Sequence, residues 1–235
     1  MHHYFMKFFL SALAALSVLC LVGPFDRVLA SESENQPVSK ETLKVLRETV
    51  LRYQRSPLVE MNVEKKVTFE LLGKDRVYHG KVSLAEKRFR FETEDPEKNL
   101  ILFDGQTLWT VQYPTSGTDG KIQVAKARLD KKNQSKILLS ELLTGKALMT
   151  QFDFLKEEDQ GNVVKLFAKP KKGGDQVTTL WITVNKKEKE VRSVEYSDEL
   201  GNKTVMTFSD LRLQDTARPK IFSYKPEKNA EVTNF

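Results

Sequence analysis

The feature that most constrains the fold of this chain is an alternation of apolar and polar residues that begins at Leu58. Met61 and Val63 belong to its apolar set, and only Lys65 interrupts that set. A period of two places successive side chains on opposite faces of a β-strand. The pattern therefore predicts a long strand with one buried face, ended by the turn that starts at Gly73.

The same alternation returns at short, regular intervals along the chain. Dipeptides that favour turns, such as Gly161-Asn162 and Gly201-Asn202, separate the segments. This spacing is typical of an antiparallel meander. The further strands are predicted near residues 78–84, 89–91, 100–103, 107–113, 122–125, 151–157, 162–169, 176–184, 190–197 and 202–209. We therefore expect ten or eleven strands.

Two segments have helical spacing instead. Ser39 is a candidate N-cap, and the apolar residues Leu46, Val50 and Tyr53 follow on one stripe before Pro57. The second segment, residues 135–145, carries its own leucine stripe and ends at a glycine. The sequence thus predicts two clear helices.

The predicted elements limit the architecture. Eleven strands spaced about 4.8 Å apart make a sheet roughly 50 Å wide, and two helices of about 10 Å diameter cover less than half of it. The apolar face must therefore curl, either closing on itself or wrapping around the helices. Whether its concave side is a cavity or a packed core stays open at this stage.

The first thirty residues are typical of a secretory signal peptide. One positive charge at Lys7 precedes an apolar run, Phe8 to Val22, that is too short to span a bilayer. Val28-Leu29-Ala30 fits a cleavage site, so we expect 31–235 to be a single exported domain. Leu19 stands before Cys20 where lipoprotein processing requires a small residue, which disfavours a lipid-anchored chain.

Composition excludes several classes of protein. The 235 residues are 40% hydrophobic and 30% charged with a net charge of +6, which fits neither a disordered chain nor a multi-spanning membrane protein. Without the leader the chain has no cysteine and one histidine, His79. We therefore predict no disulfides, no metal site and no cofactor.

No motif for phosphate binding or nucleophilic catalysis is present. His79 is predicted to be an exposed strand residue, and Glu157, Glu158 and Asp159 are predicted to form a solvated turn. The basic runs near 169–172 and 186–189 fall in predicted turns and lack interleaved aromatic residues, which disfavours nucleic-acid binding. A glycosidase with two carboxylates on separate strands remains an open alternative.

A series of short motifs, in a fixed order, carries a family resemblance. The motifs are Gly80, Phe89-Arg90-Phe91-Glu92, Pro96, Asp104-Gly105, Leu108-Trp109, Tyr113-Pro114, Asp198 to Thr204, Phe208 and Phe222 to Pro226. Over roughly residues 40–235 the chain resembles the LolA family of periplasmic lipoprotein carrier proteins.

The resemblance implies a mainly β (α+β) fold, an incomplete antiparallel barrel of about eleven strands with helices over its concave apolar face. It also implies a monomeric, non-enzymatic chaperone in the periplasm. Such a carrier takes acylated lipoproteins from an inner-membrane ABC release complex to an outer-membrane acceptor. Family members often have Arg-Pro before the Phe-Arg-Phe strand. This chain has Ala85-Glu86-Lys87-Arg88, so Lys87 or Arg88 would have to replace the arginine linked to the helical lid.

A site for acyl chains needs dry apolar area and a cover. Each candidate for its lining could equally be a packed core residue. The strand candidates are Phe89, Phe91, Leu102, Trp109 and Trp181, and the helix candidates are Leu46, Val50, Leu138 and Leu142.

Two functions from other classes stay open. One is a sensor or regulator of the envelope that uses the same half-barrel to bind a lipid or a protein. The other is a glycan hydrolase, which would show two facing carboxylates in a cleft. The outer-membrane acceptor itself is disfavoured because the chain lacks a lipobox.

Overall fold

A computed structural model describes residues 37–115, 117, 119–129, 146–171 and 177–234. Twelve strands and two helices lie in these ranges. The helices are α1 (Lys40–Arg55) and α2 (Lys146–Gln151). The strands are β1 (Leu58–Phe69), β2 (Lys74–Ala85), β3 (Arg88–Asp95), β4 (Asn99–Phe103), β5 (Thr107–Gln112), β6 (Gln123–Arg128), β7 (Phe152–Gln160), β8 (Val163–Pro170), β9 (Thr179–Asn185), β10 (Glu190–Ser197), β11 (Lys203–Gln214) and β12 (Glu231–Asn234).

All twelve strands form one sheet in the order β12-β6-β5-β4-β3-β2-β1-β11-β10-β9-β8-β7. Each pairing is antiparallel except that of β12 with β6. Because β12 and β7 stand at opposite ends of this order, the sheet is open rather than closed into a barrel. The prediction of a mainly β fold with a large unclosed sheet and few helices is confirmed.

Helix α1 has the start and the buried stripe that the sequence predicted. The Ser39 hydroxyl accepts a hydrogen bond from the Thr42 N–H at 3.1 Å, which caps the helix. Leu46, Val50 and Tyr53 are buried on one side. The second predicted helix, 135–145, lies outside the described residues.

Two contacts show which strands α1 crosses. At its start, the Ser39 N–H donates to a Glu157 carboxylate oxygen on β7 at 3.0 Å. Near its end, the Tyr53 hydroxyl accepts a hydrogen bond from the Val191 N–H on β10 at 3.0 Å. The helix therefore covers one face of the β7–β10 half of the sheet. We call this face the inner face and the opposite one the outer face.

The main core joins α1 to inner-face residues from many strands. Its residues include Val63, Val82, Leu84, Phe89, Phe91, Phe103, Val164, Leu166, Leu180, Ile182, Val184, Val194, Met206 and Phe208. A second, smaller cluster lies on the outer face of β4–β6, where Tyr224 from the C-terminal segment packs against it. Both faces of the sheet are therefore partly covered, each by a different part of the chain.

Several motifs of the family resemblance form turns and close approaches. A Cβ on Gly80 would lie 1.9 Å from the Glu92 carbonyl oxygen, so the bulge between β2 and β3 requires glycine. The Asp104 carboxylate accepts hydrogen bonds from the N–H groups of Gln106 and Thr107, and Gly105 has a φ of +103°. These residues specify how strands connect rather than what the protein binds.

Candidate functional site

A groove of about 290 Å³ lies on the inner face of β1–β5. Its volume is just below the range of typical ligand pockets, which begins at about 300 Å³. Its buried and half-buried lining comprises Lys65, Tyr78, Phe91, Thr93, Asn99, Ile101 and Thr110, and its exposed lining comprises Arg76, Glu97 and Gln112.

The strand register explains why these side chains meet. Across β3, β4 and β5, Phe91 is opposite Ile101, and Ile101 is opposite Thr110. One strand further, Lys65 on β1 is opposite Tyr78 on β2. Directly opposed residues share a face of the sheet, so the groove is built from neighbouring cross-strand rows.

The floor of the groove combines apolar side chains with one lysine. The Lys65 ammonium lies 5.8 Å from the centroid of the Tyr78 ring and 5.9 Å from that of the Phe91 ring. Burial lowers the pKa of Lys65, because the charged form loses hydration. The groove therefore combines apolar and polar surface, with a positive charge at one point of its floor.

One end of the groove carries a pair of opposite charges. An Arg76 guanidinium nitrogen lies 3.8 Å from a Glu97 carboxylate oxygen. A hydrogen bond with the Tyr78 side chain raises the pKa of Arg76. Glu97 is the one carboxylate among the lining residues, so the groove lacks the carboxylate pair of a glycosidase.

The predicted lining residues separate into four groups. Phe91 lines the groove. Leu46, Val50 and Phe89 are on the inner face but belong to the packed core. Leu138 and Leu142 fall outside the described residues. The remaining three, Leu102, Trp109 and Trp181, are on the outer face.

Trp109 has a clear packing role on that outer face. Its indole N–H donates to an Asp104 carboxylate oxygen at 3.2 Å, and its ring lies 5.5 Å from that of Tyr224. Leu102 is its cross-strand neighbour and is fully buried in the same outer cluster. The two therefore share no surface with Phe91, and we leave both out of the candidate site.

Trp181 is equally remote from the groove. Its neighbours Leu180 and Ile182 point into the inner core, so Trp181 points outward. There its ring lies 4.9 Å from the Phe167 ring and 4.4 Å from the Lys165 ammonium. This half-buried aromatic pair covers part of the outer face of β8 and β9.

The sequence interpretation missed the middle of the groove. Thr93, Ile101 and Thr110 are not among the predicted lining residues, although Ile101 and Thr110 occupy inner-face positions of predicted strands and Thr93 follows the predicted strand 89–91 by two residues. Lys65 was noticed only as an interruption of the apolar pattern. That interruption was the available signal, because a lysine on a buried face of a strand is uncommon.

The prediction of a solvated turn at Glu157 to Asp159 is wrong. All three residues belong to β7, and Glu157 is 7% exposed. Its carboxylate accepts hydrogen bonds from both the N–H and the hydroxyl of Ser39. A carboxylate at the start of a helix is favourable, which explains why a glutamate is tolerated at this buried position.

Neither residue considered as a substitute for the family arginine faces α1. Lys87 is exposed in the turn between β2 and β3. Arg88 follows on the outer face, where its guanidinium lies 5.2 Å from the centroid of the Phe222 ring. Among the described residues, neither position therefore supplies a contact with a helix that covers the inner face.

A second cleft, of about 490 Å³, has Glu64, His79, Glu94 and Asp95 among its lining residues. His79 is exposed on β2, and its Nδ1 is 3.9 Å from a Glu64 carboxylate oxygen. No group of three histidine, cysteine, aspartate or glutamate residues in this part of the chain could hold a metal ion. Neither α1 nor α2 is long and apolar enough to cross a membrane.

Comparison with known proteins places the chain in a family. The profile of "Outer membrane lipoprotein carrier protein LolA" matches residues 72–225, which is more than half of the chain. This protein therefore belongs to the LolA family. An outer-membrane lipoprotein carrier protein from Coxiella burnetii is 25% identical over 171 residues, covering 71% of this chain and 76% of its own length.

Other relatives are similarly distant. An outer-membrane lipoprotein carrier protein from Vibrio cholerae is 30% identical over 155 residues, covering 66% of this chain and 72% of its own. The crystal structure of a LolA superfamily protein from Nitrosomonas europaea superposes with a TM-score of 0.42 at 14% identity, covering 77% of this chain and 97% of that one.

Proposed function

We propose that this protein is a periplasmic carrier that binds the acyl chains of lipoproteins and carries them to the outer membrane. It would receive them from an inner-membrane ABC release complex, act as a monomer and pass them to an outer-membrane acceptor. We propose binding, not catalysis, as its activity. The single observation that carries the proposal is the groove on the inner face, supported by the names of the family's curated members.

The depth of the groove suits a carrier that must release its cargo. Burying one methylene contributes about 0.8 kcal/mol, so a site that enclosed two or three whole acyl chains would hold them too tightly. Ile101 and Thr110 remain half-buried, so part of the floor is accessible to a ligand. A shallow groove would bury a chain partly and leave the rest for the next partner.

The test is binding of a synthetic triacylated lipopeptide by Ile101→Asn. An amide in the floor would contact the acyl chain without a hydrogen-bond partner, so we expect affinity to fall roughly tenfold. Val205→Asn is the matched control, since Val205 is half-buried on β11 opposite Lys66 and Glu195. It should bind as the wild type does.

Cargo should also be sought directly. We expect protein purified from periplasm to carry acylated peptide detectable by mass spectrometry, and to release lipoproteins from spheroplasts. A wild-type protein that binds no lipopeptide and releases no lipoprotein would refute the carrier function.

A further inference from the structure

Lys65 is the unusual residue of the inner face. Its neighbours on the same face of β1 are Val63 and Val67, and its partner on β11 is Met206. A charged group among such residues loses hydration, and the faces of Tyr78 and Phe91 compensate only partly. The packing of apolar side chains around it does not account for a lysine at this position in the floor of the groove.

The adjacent lysine provides a comparison within the same strand. Lys66 points to the outer face, where its ammonium lies 2.6 Å from an Asp75 carboxylate oxygen. None of the ion pairs in the described part of the chain includes Lys65. The nearest acid in the groove lining, Glu97, is instead within 3.8 Å of Arg76.

The groove is therefore amphipathic along its length. Lys65 and Arg76 supply two positive charges near the Tyr78 ring, and Glu97 supplies one negative charge. Phe91 and Ile101 supply the apolar floor beside them. A ligand that complements this arrangement has an anionic oxygen group at one end and a hydrocarbon chain at the other.

We propose that Lys65 binds the anionic oxygen group of an acidic acyl ligand, a carboxylate or a phosphate, while the acyl chain lies over Phe91 and Ile101. This inference rests on the proposed function, because it assumes that the groove holds acyl chains. It adds a preference among acyl ligands: those with an acidic head bind more tightly than neutral ones of equal chain length.

The test compares a fluorescent polyene fatty acid with its methyl ester on the full mature chain. The wild type should bind the acid roughly tenfold more tightly, since a charge-assisted hydrogen bond is lost in the ester. Lys65→Met should bind both probes equally, whereas Lys65→Arg should keep the preference. Lys66→Met is the control and should behave as the wild type.

Two competitors distinguish the sources of the anionic group. Unlabelled lysophosphatidic acid and an unlabelled fatty acid each compete with the fluorescent fatty acid. Stronger displacement by lysophosphatidic acid would identify a phosphate as the preferred head group, and stronger displacement by the fatty acid would identify a carboxylate. Inorganic phosphate alone should not displace the fluorescent fatty acid, because it lacks an acyl chain.

Equal wild-type affinity for acid and ester would overturn the proposal, and this measurement does not depend on any variant folding. A preference that persists in Lys65→Met would also overturn it, as would displacement of the acid by inorganic phosphate alone. If the wild type binds the ester and the triacylated lipopeptide but shows no preference for the acid, only the role of Lys65 fails. If it binds none of these ligands, the carrier function fails with it.

Discussion

The inner face differs between the half beneath α1 and the half that contains the groove. Beneath α1, the strands β8 and β9 contribute Val164, Leu166, Leu180 and Val184, all with no exposed surface. In the groove half, Ile101 on β4 and Leu108 and Thr110 on β5 are only half-buried. The described part of the sheet thus has one half whose inner face is fully packed and one half whose inner face keeps exposed surface.

Apolar composition alone does not define a binding site. Both halves carry isoleucine and leucine on their inner face, but among the described residues only the β7–β10 half is covered by a helix that is hydrogen-bonded to the strands below it. Ser39 and Tyr53 attach α1 to β7 and β10. Five predictions test this contrast between the half that α1 covers and the half-exposed half that contains the groove.

The largest effect should come from a matched pair of isoleucines. Ile182→Ala in the sealed half should lower the free energy of unfolding by about 2–5 kcal/mol, because a fully buried side chain leaves a cavity. Ile101→Ala in the groove should cost only about 1 kcal/mol, since its surroundings are already partly open. Urea unfolding measures both, and equal losses would contradict the contrast.

The next effect concerns the tyrosine that attaches the end of α1. Tyr53→Phe leaves the Val191 N–H without its acceptor, and we expect a loss of about 1–3 kcal/mol. Tyr78→Phe is the counterpart in the groove half. Its hydroxyl bonds the exposed Arg76, so its loss should cost less than about 1 kcal/mol. A larger loss of unfolding free energy for Tyr78→Phe than for Tyr53→Phe would contradict the conclusion that Tyr53 attaches α1 to the sheet.

The contribution of Tyr53 to stability also depends on pH. Burial raises the pKa of Tyr53 from its ordinary value of 10.0 to about 12. Because the folded pKa lies above the unfolded one, its contribution to stability is complete below pH 10 and is lost as pH rises through 12. The difference in unfolding free energy between wild type and Tyr53→Phe should therefore shrink over that range.

A smaller effect is expected at the start of α1. Glu157→Gln keeps an acceptor for the Ser39 N–H but removes the negative charge beside the first turn, and should cost about 0.3–1 kcal/mol. Hydrogen exchange should accelerate in α1 more than in β3–β5. Uniform acceleration across both halves would indicate that Glu157 does not act through the helix.

The smallest effect on stability should appear in an exposed turn that does not belong to the packed inner face. Leu71, in the turn between β1 and β2, is 85% exposed. Leu71→Ser should change the unfolding free energy by less than about 0.5 kcal/mol. A clear destabilisation would mean that Leu71 packs against a surface outside the two halves compared above.

Most of the fold was predictable because local spacing encodes it. The alternation in β1, the Ser39 cap and the turn glycines each report a short-range constraint that a single sequence carries. β12 was missed because its four residues are all exposed and show no alternation; it exists through its pairing with β6.

The candidate site was less predictable for a geometric reason. A period of two shows that Phe89 and Phe91 share a face, but it does not show whether Leu102 on another strand shares it too. That depends on the register between strands, and Leu102 is opposite Arg90 rather than Phe91. Bulges, such as the one between His79 and Gly80, shift the register further.

The sequence alone predicts the class of fold, the first helix and the anomaly of a lysine at an apolar position. The assembled sheet is what turns Leu102, Trp109 and Trp181 outward. It also places Glu157 beside the Ser39 cap of α1 and puts Lys65 in a groove with Phe91. Alternation is a property of one strand, whereas facing, burial and charge pairing depend on partners far away in the chain. Those partners are brought together only when the whole sheet has assembled.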